Sequence, residues 1–307
     1  MRALVTGGAG FVGSHLCEAL IVRGYEVWAV DDLTSGRKEN LASGVTLIER
    51  DVAYHDLDDL GPVDLVAHLA CPASPADYLA RPLETLRTCA DGTRHAAELA
   101  LAHDARFLMT STSEVYGDPA VHPQPEGYWG NVNPTGERAV YDEGKRYAEA
   151  LVMAMYRKHG LRLRLARLFN SYGPRLRSGD GRVVSNFIVA ALRGAPLTVY
   201  GDGAQTRSLC FVDDTVAGLV ALALSDNVGP GKLGNPDERR VIDLARLIIE
   251  LVGSQSVLEY RRLPSDDPAR RCPDIGLARR QLAWEPQVSV EDGLLRTISW
   301  FRASGLY

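Results

Sequence analysis

The sequence predicts an α/β protein, a doubly wound parallel sheet with a smaller, partly interleaved C-terminal α/β lobe. Three observations predict it. An apolar run at the amino terminus, Arg2-Ala3-Leu4-Val5-Thr6, feeds a glycine turn and then a helical pattern. Short apolar runs recur through the first half with helical stretches between them. Around Asn170 the texture changes to glycine, proline and charge.

The turn is Gly7-Gly8-Ala9-Gly10-Phe11-Val12-Gly13, followed by a helix through Leu16, Ala19 and Leu20. Glycines permit a tight turn and close backbone approach, and the helix offers unpaired N–H groups and its positive dipole end to a pyrophosphate. A second strand, Glu26–Val30, ends at Asp31 and Asp32. Asp31 lies 18 residues beyond Gly13, near the spacing at which a carboxylate meets an adenosine ribose. An acid there repels a 2′-phosphate, so the first unit reads as an NAD-binding Rossmann domain, with NAD preferred over NADP. Further strands are expected near Val45–Ile48, Val63–Leu69, Phe107–Thr110 and Leu163–Leu168. Right-handed helical crossovers make such an alternation a parallel sheet. The expected division is 1–170 for the cofactor domain and 171–307 mainly for a substrate lobe, with a segment near 205–225 returning to the first domain. Leu209–Val212 is the expected returning strand.

The chain has 307 residues, 46% hydrophobic, with a formal net charge of −5 and charges of both signs interspersed. That argues against nucleic acid or an anionic membrane as principal partner. No run approaches a membrane span, and the chain opens directly on its first strand, so a cytoplasmic location is expected. The five cysteines, Cys17, Cys71, Cys89, Cys210 and Cys272, lack paired metal-type spacing and read as reduced, mostly buried thiols. No metal site is expected.

Tyr141 is followed four residues later by Lys145. On a helix the two side chains share one face, so an ammonium can lower the phenol pKa toward neutrality and make it a proton acceptor for alcohol oxidation. Alone the pair is weak; beside a dinucleotide turn it points to a dehydrogenase-type site.

Several longer segments extend this reading: His68-Leu69-Ala70-Cys71-Pro72-Ala73-Ser74-Pro75, Thr112-Ser113-Glu114-Val115-Tyr116-Gly117-Asp118-Pro119, and Tyr128-Trp129-Gly130-Asn131-Val132-Asn133-Pro134 before the Tyr141 motif. Later come Asp180–Ile188, Leu197–Gly203, Gln205-Thr206-Arg207 and Asp266-Asp267-Pro268. With them the chain resembles the extended short-chain dehydrogenase/reductase family over nearly its whole length. Within it, the Thr-Ser-Glu and Pro-Ala-Ser-Pro runs resemble the UDP-glucuronic acid decarboxylase branch.

The resemblance implies decarboxylation of UDP-glucuronate to UDP-xylose with a tightly held NAD. A C5 carboxylate leaves readily once C4 is a ketone, because the sugar is then a β-keto acid whose carbanion is delocalised. Tyr141 takes the C4 hydroxyl proton, Lys145 lowers its pKa and bonds the nicotinamide ribose, and Thr112 positions the C4 oxygen. The resembling dehydratases carry Asp-Glu after the threonine to expel the C6 hydroxyl; Ser113 in the Asp position disfavours that reaction. The resembling epimerases usually lack an acid at Glu114. In a decarboxylase Glu114 orders a water for C5 protonation and repels the substrate carboxylate.

For the nucleotide end the resemblance implies Arg207 at the diphosphate, Arg271 at the sugar and in catalysis, and Arg87 near the substrate. Asn170, Arg182, Asn186, Tyr200 and Gln205 complete that set. On the cofactor side it implies Asp51 and Val52 at the adenine, Leu69 and Ala70 at the nicotinamide half, and Thr34, Ser35 and Gly36 near the adenosine ribose, with Thr88 and Thr110. The family commonly has Ser at Cys71, Asn at Cys89 and Tyr at Phe211. Two other activities stay open: a decarboxylase that releases mainly the UDP-4-keto-pentose, and a non-catalytic NAD/nucleotide-sugar sensor.

The stretch Tyr147, Ala148, Ala150, Leu151, Val152, Ala154, Met155 and Tyr156 is apolar over most of a helix circumference. It predicts a homodimer, this helix pairing with one spanning roughly Ala76 to Ala102 in a four-helix contact, unless the second lobe covers the same face.

Overall fold

In the computed structural model, which describes residues 1–263 and 270–307, strand β1 (Arg2–Thr6) enters the glycine turn and helix α1 (Phe11–Ile21). β2 (Glu26–Asp31), β3 (Val45–Glu49) and β4 (Leu65–His68) follow, then α2 (Pro75–Ala80), α3 (Pro82–Arg87), a π turn (Thr88–Gly92) and α4 (Thr93–Ala102). The single helix expected from 76 to 102 is therefore broken at Arg81–Pro82, where proline restricts the residue before it. It is also widened by one π turn. β5 (Arg106–Thr112), a 3-10 turn (Ser113–Tyr116), α5 (Ala139–His159) and β6 (Arg162–Leu168) complete the first half.

These strands form a parallel sheet in the order β3-β2-β1-β4-β5-β6. The apolar runs of β1, β4 and β5 are buried almost throughout, because helices cover both faces. The order reverses at β1/β4, so the crevice beyond the carboxyl ends of those strands is the expected ligand position. Helix α5 ends at Gly160 in a left-handed conformation, with Arg157, Lys158 and His159 in its last turn against the negative dipole end.

The second half contains β7 (Ser171–Tyr172), α6 (Val183–Leu192), β8 (Leu197–Tyr200), β9 (Thr206–Ser208), β10 (Cys210–Phe211) and α7 (Val212–Leu224). After them come β11 (Gly231–Leu233), β12 (Glu238–Arg240), α8 (Val241–Val252), β13 (Leu258–Arg261), α9 (Gly276–Leu282) and α10 (Val290–Ser304). Leu209–Val212 does not join the central sheet as expected: β10 pairs with β7 in a small sheet of its own. The strand that returns is β11, parallel to β6 as the seventh strand, and α7 returns with it to pack on α1. β8 pairs with β13 and β9 with β12. Asp266-Asp267-Pro268 lies outside the described residues.

Candidate active site

The carboxyl ends of β1, β2, β4 and β5 open into one cavity of about 1090 Å³ that runs from the glycine turn to the second half of the chain. Its first end has the properties of a dinucleotide cradle. Gly7 has a φ of +68°, and a Cβ there would lie 2.8 Å from the Ala70 nitrogen. A Cβ on Gly13 would lie 2.0 Å from the Gly7 carbonyl oxygen. Larger residues would therefore destroy the turn. No side chain caps α1 at Gly10, which leaves its first N–H groups for an anion. Asp31 closes the turn: its carboxylate accepts the Ala9 N–H at 3.0 Å and the Leu33 N–H at 2.9 Å. Burial raises its pKa. Gly7, Gly10, Phe11, Val12, Gly13, Asp31, Asp32, Thr34, Ser35, Asp51, Val52, Leu69, Ala70, Thr88 and Thr110 all line the cavity. Gly36 does not; it packs on Asp31, whose Oδ1 would sit 2.6 Å from a Cβ at that position. The apolar wall, the glycine cradle and the carboxylate at the end of β2 fit NAD.

Tyr141 and Lys145 project from the first turns of α5, both buried. Lys145 Nζ donates to the Thr110 carbonyl at 3.0 Å, tying the helix to β5. The Tyr141 ring stacks on Tyr78 with centroids 5.1 Å apart and planes 3° apart. The expected lowering of the phenol pKa is not found. Burial pushes it well above its ordinary value, charge on Cys71 and Glu114 acts the same way, and the Thr112 hydrogen bond and Arg182 oppose only in part. Behind the helix, Arg167 makes two bonds to Glu149, at 2.8 and 2.6 Å, and Ser111 donates to the same carboxylate at 2.5 Å. That network fixes α5 against β5 and β6.

Glu114 is the second residue of the turn after β5, its N–H donated to Thr112 Oγ1 at 3.1 Å. Its carboxylate sits between two guanidiniums. Arg271 donates to it at 2.6 and 3.1 Å, and Arg138 at 2.6 Å. Burial pushes the carboxyl up, but the two arginines outweigh it and hold it at about 2. Arg271 is 3% exposed, and its Nε is buried without a hydrogen-bond partner among the described residues. It also donates to the Gly117 carbonyl at 2.8 Å and to Ser113 Oγ at 3.3 Å. Glu114 is thus a neutralised anion in a locally cationic cluster, and its expected repulsion of a substrate carboxylate is weakened accordingly.

Thr112, Glu114, Asn170, Arg182, Asn186, Tyr200, Gln205, Arg207 and Arg271 share the cavity. Two of the expected catalytic and substrate positions do not. Ser113 is buried, does not line the cavity, and accepts a hydrogen bond from the Arg271 guanidinium. Arg87 points away: it ends α3 exposed, its guanidinium over the Tyr54 ring at 4.6 Å. Sequence reasoning missed Arg138 and Tyr78, both of which line the site. No motif marked them; a long loop and a separate helix deliver them. It also missed that the Cys71 and Cys89 sulfurs meet, 3.3 Å apart. Phe211, the third departure from the family, is buried against Tyr172 and outside the cavity lining. Among the described residues, one group has ligand atoms near enough for a metal: His122, Glu238 and Cys272. It lies outside the cavity, and Glu238 already pairs with His122 at 3.0 Å.

The profile of the NAD dependent epimerase/dehydratase family matches residues 3–235. UDP-glucuronic acid decarboxylase 1 of Arabidopsis thaliana is 52% identical over 304 residues, spanning 98% of this chain and 70% of that protein. The Xenopus tropicalis protein of that name is 50% identical over 303 residues, 98% of this chain and 72% of its own length. Among solved structures, the UDP-glucose 4-epimerase of Thermotoga maritima with UDP-glucose superposes with a TM-score of 0.93 at 31% identity, covering 99% of both chains. The UDP-glucuronic acid 4-epimerase of Bacillus cereus, in complex with UDP-glucuronic acid and NAD, has a TM-score of 0.90 at 26% identity, covering 99% of this chain and 100% of that one. With the dinucleotide cradle, the Tyr141–Lys145 helix and these relatives on one chain, it belongs to the NAD dependent epimerase/dehydratase family, among the UDP-glucuronic acid decarboxylases.

Proposed function

We infer that this chain is a carboxy-lyase that converts UDP-glucuronate to UDP-xylose and carbon dioxide by oxidation at C4, loss of the C5 carboxylate and reduction at C4. The observation that carries the reading is Glu114 held between Arg138 and Arg271 in the same cavity as Tyr141, Lys145 and the glycine cradle. Bound NAD supplies the two-electron acceptor for the first step and the donor for the last.

Gly7, Gly10, Gly13 and the start of α1 would hold its pyrophosphate, and Asp31 its adenosine ribose. Tyr141 takes the C4 hydroxyl proton, with Thr112 aligning that oxygen. Because burial favours the neutral phenol, making the phenolate accessible depends on nearby positive charge, to which Lys145, on the same helix face four residues on, would contribute. Arg271 meets the sugar carboxylate until it leaves. Glu114, held ionised with a pKa of about 2, carries no proton to give at neutral pH and instead orders a water for C5 protonation. Asn170, Arg182, Asn186, Tyr200, Gln205 and Arg207 hold the uridine and diphosphate. In this reading residues 1–170 form the cofactor domain, to which the segment near 205–225 returns, and 171–307 supply most of the UDP-sugar contacts.

We further propose a homodimer through α3 and α5. Leu83 is 75% and Tyr147 53% exposed, with Leu86 and Tyr156 also open, and the principal neighbours of α5 are α3, α4, β5 and β6 rather than the second lobe. A cytoplasmic location agrees with five cysteines that are all free thiols.

Incubation of purified protein with UDP-glucuronate and NAD, with carbon dioxide and product mass recorded, tests the activity. UDP-xylose with stoichiometric carbon dioxide supports it. Tight binding without turnover would make the protein a sensor, and UDP-4-keto-pentose as main product would remove the final reduction.

A further inference from the structure

Cys71 stands three residues past the end of β4, in the wall of the cavity, and Cys89 sits in the π turn between α3 and α4. Their sulfurs are 3.3 Å apart, in van der Waals or weak hydrogen-bond contact, and both are free thiols. A disulfide requires about 2.05 Å, so the sulfurs must close by a little over 1 Å. The two thiols are unlike. Cys71 is partly exposed to the cleft, whereas Cys89 is 2% exposed. The hydrogen bond from Cys89 lowers the Cys71 pKa, burial opposes this, and Lys145 adds to it, for a value of about 7. The Cys89 thiol is pushed well above its ordinary value, first by that same bond. This is the division between an attacking thiolate and a resolving thiol.

We propose that Cys71 and Cys89 are a modification site: a hydroperoxide entering the cleft oxidises them to a reversible intramolecular disulfide that slows the enzyme. The Cys71 thiolate attacks the peroxide; the O–O bond breaks, Cys71 becomes a sulfenic acid and the other oxygen leaves as alcohol or water after protonation. The Cys89 sulfur then displaces hydroxide from the sulfenic sulfur, losing its own proton, and the hydroxide and proton leave as one water as the S–S bond forms. Two thiols lose two electrons in all, and the peroxide gains them.

The bond reaches catalysis through packing on both sides. Ala70, beside Cys71, lies so close to Gly7 that a Cβ there would be 2.8 Å from its nitrogen, so drawing Cys71 inward shifts the cofactor wall against the glycine turn. On the other side, Cys89 Sγ lies 3.1 Å from where a Cβ of Gly144 would be, between Tyr141 and Lys145 on α5. Drawing Cys89 toward Cys71 loosens that contact. A displacement near 1 Å is expected to slow turnover roughly tenfold or more.

The test treats the full-length reduced protein with hydrogen peroxide, then alkylates free thiols and maps peptides by mass. The expected result is a Cys71–Cys89 linked peptide lighter by two hydrogens, with Cys17, Cys210 and Cys272 alkylated. NAD affinity, measured by calorimetry, falls together with turnover, and dithiothreitol restores both. In Cys89→Ser, checked for folding by circular dichroism, Cys71 is trapped by dimedone as a sulfenic acid and no linked peptide forms. Saturating NAD slows the oxidation of wild-type protein by covering Cys71. Over-oxidation of Cys71 without a linked peptide, linkage only between two chains, or a linked form with unchanged NAD affinity and turnover would each overturn the proposal. Failure of the protein to act on UDP-glucuronate leaves the linked peptide and the NAD affinity as independent readouts.

Discussion

Arg271 and Glu114 are 157 residues apart in the chain and form a two-pronged ion pair, Nη1 to Oε1 at 2.6 Å and Nη2 to Oε2 at 3.1 Å. Through it the second half of the molecule closes the catalytic end of the first. Charge-assisted paired bonds of this kind fix geometry as well as adding energy. Breaking one from a single side leaves a buried charge exposed to repulsion or desolvation.

Replacing Glu114 by Gln keeps the shape and removes the charge between Arg138 and Arg271. The folded carboxyl titrates at about 2 against an ordinary 4.5, so its stabilisation is complete above about pH 4.5 and is lost as pH falls through about 2. At pH 7 the variant should be less stable by on the order of 3 kcal/mol. That gap should narrow steadily on acidification. Urea unfolding of both proteins at stepped pH measures it, and a gap independent of pH would contradict the clamp.

Tyr141→Phe keeps the ring stacked on Tyr78 but removes the proton acceptor. The expected loss of turnover is about 10²-fold or more, with UDP-glucuronate affinity close to wild type. Stopped-flow turnover and calorimetry separate the two quantities. Undiminished turnover would remove Tyr141 from the mechanism.

Cys71 opposes ionisation of Tyr141 when it is itself ionised, at a pKa of about 7. In Cys71→Ser that opposition is gone, so the pH at which the rate reaches half its maximum should move to lower pH. A pH–rate profile of both proteins under reducing conditions decides it. A shift to higher pH would mean that the thiolate helps the phenol ionise.

The open apolar face of α3 and α5 should hold two copies together. Sedimentation at micromolar concentration is expected to give a dimer, and Leu83→Arg combined with Tyr147→Arg a folded monomer, since both side chains are exposed in one chain. A wild-type monomer would leave the face without this partner.

By itself the sequence determined what is local. The β1–glycine–α1 unit is legible because each glycine answers to a turn within a few residues, and Asp31 because strand length sets where β2 ends. Tyr141 and Lys145 are legible because helical geometry alone puts them on one face. The parallel alternation followed from apolar runs and their spacing, although the returning strand did not: Gly231–Leu233 is too short for its pattern to compete with that of Leu209–Val212. What only the tertiary structure decided depends on which distant segments meet and on how much water they exclude. Arg138 joins Glu114 across 24 residues and Arg271 across 157, Cys71 meets Cys89 across 18, and Arg87 turns out to the Tyr54 ring. The direction of the Tyr141 pKa belongs to the same class. A helical pair gives the sign of one interaction, but burial, which needs the whole packed site, outweighs it.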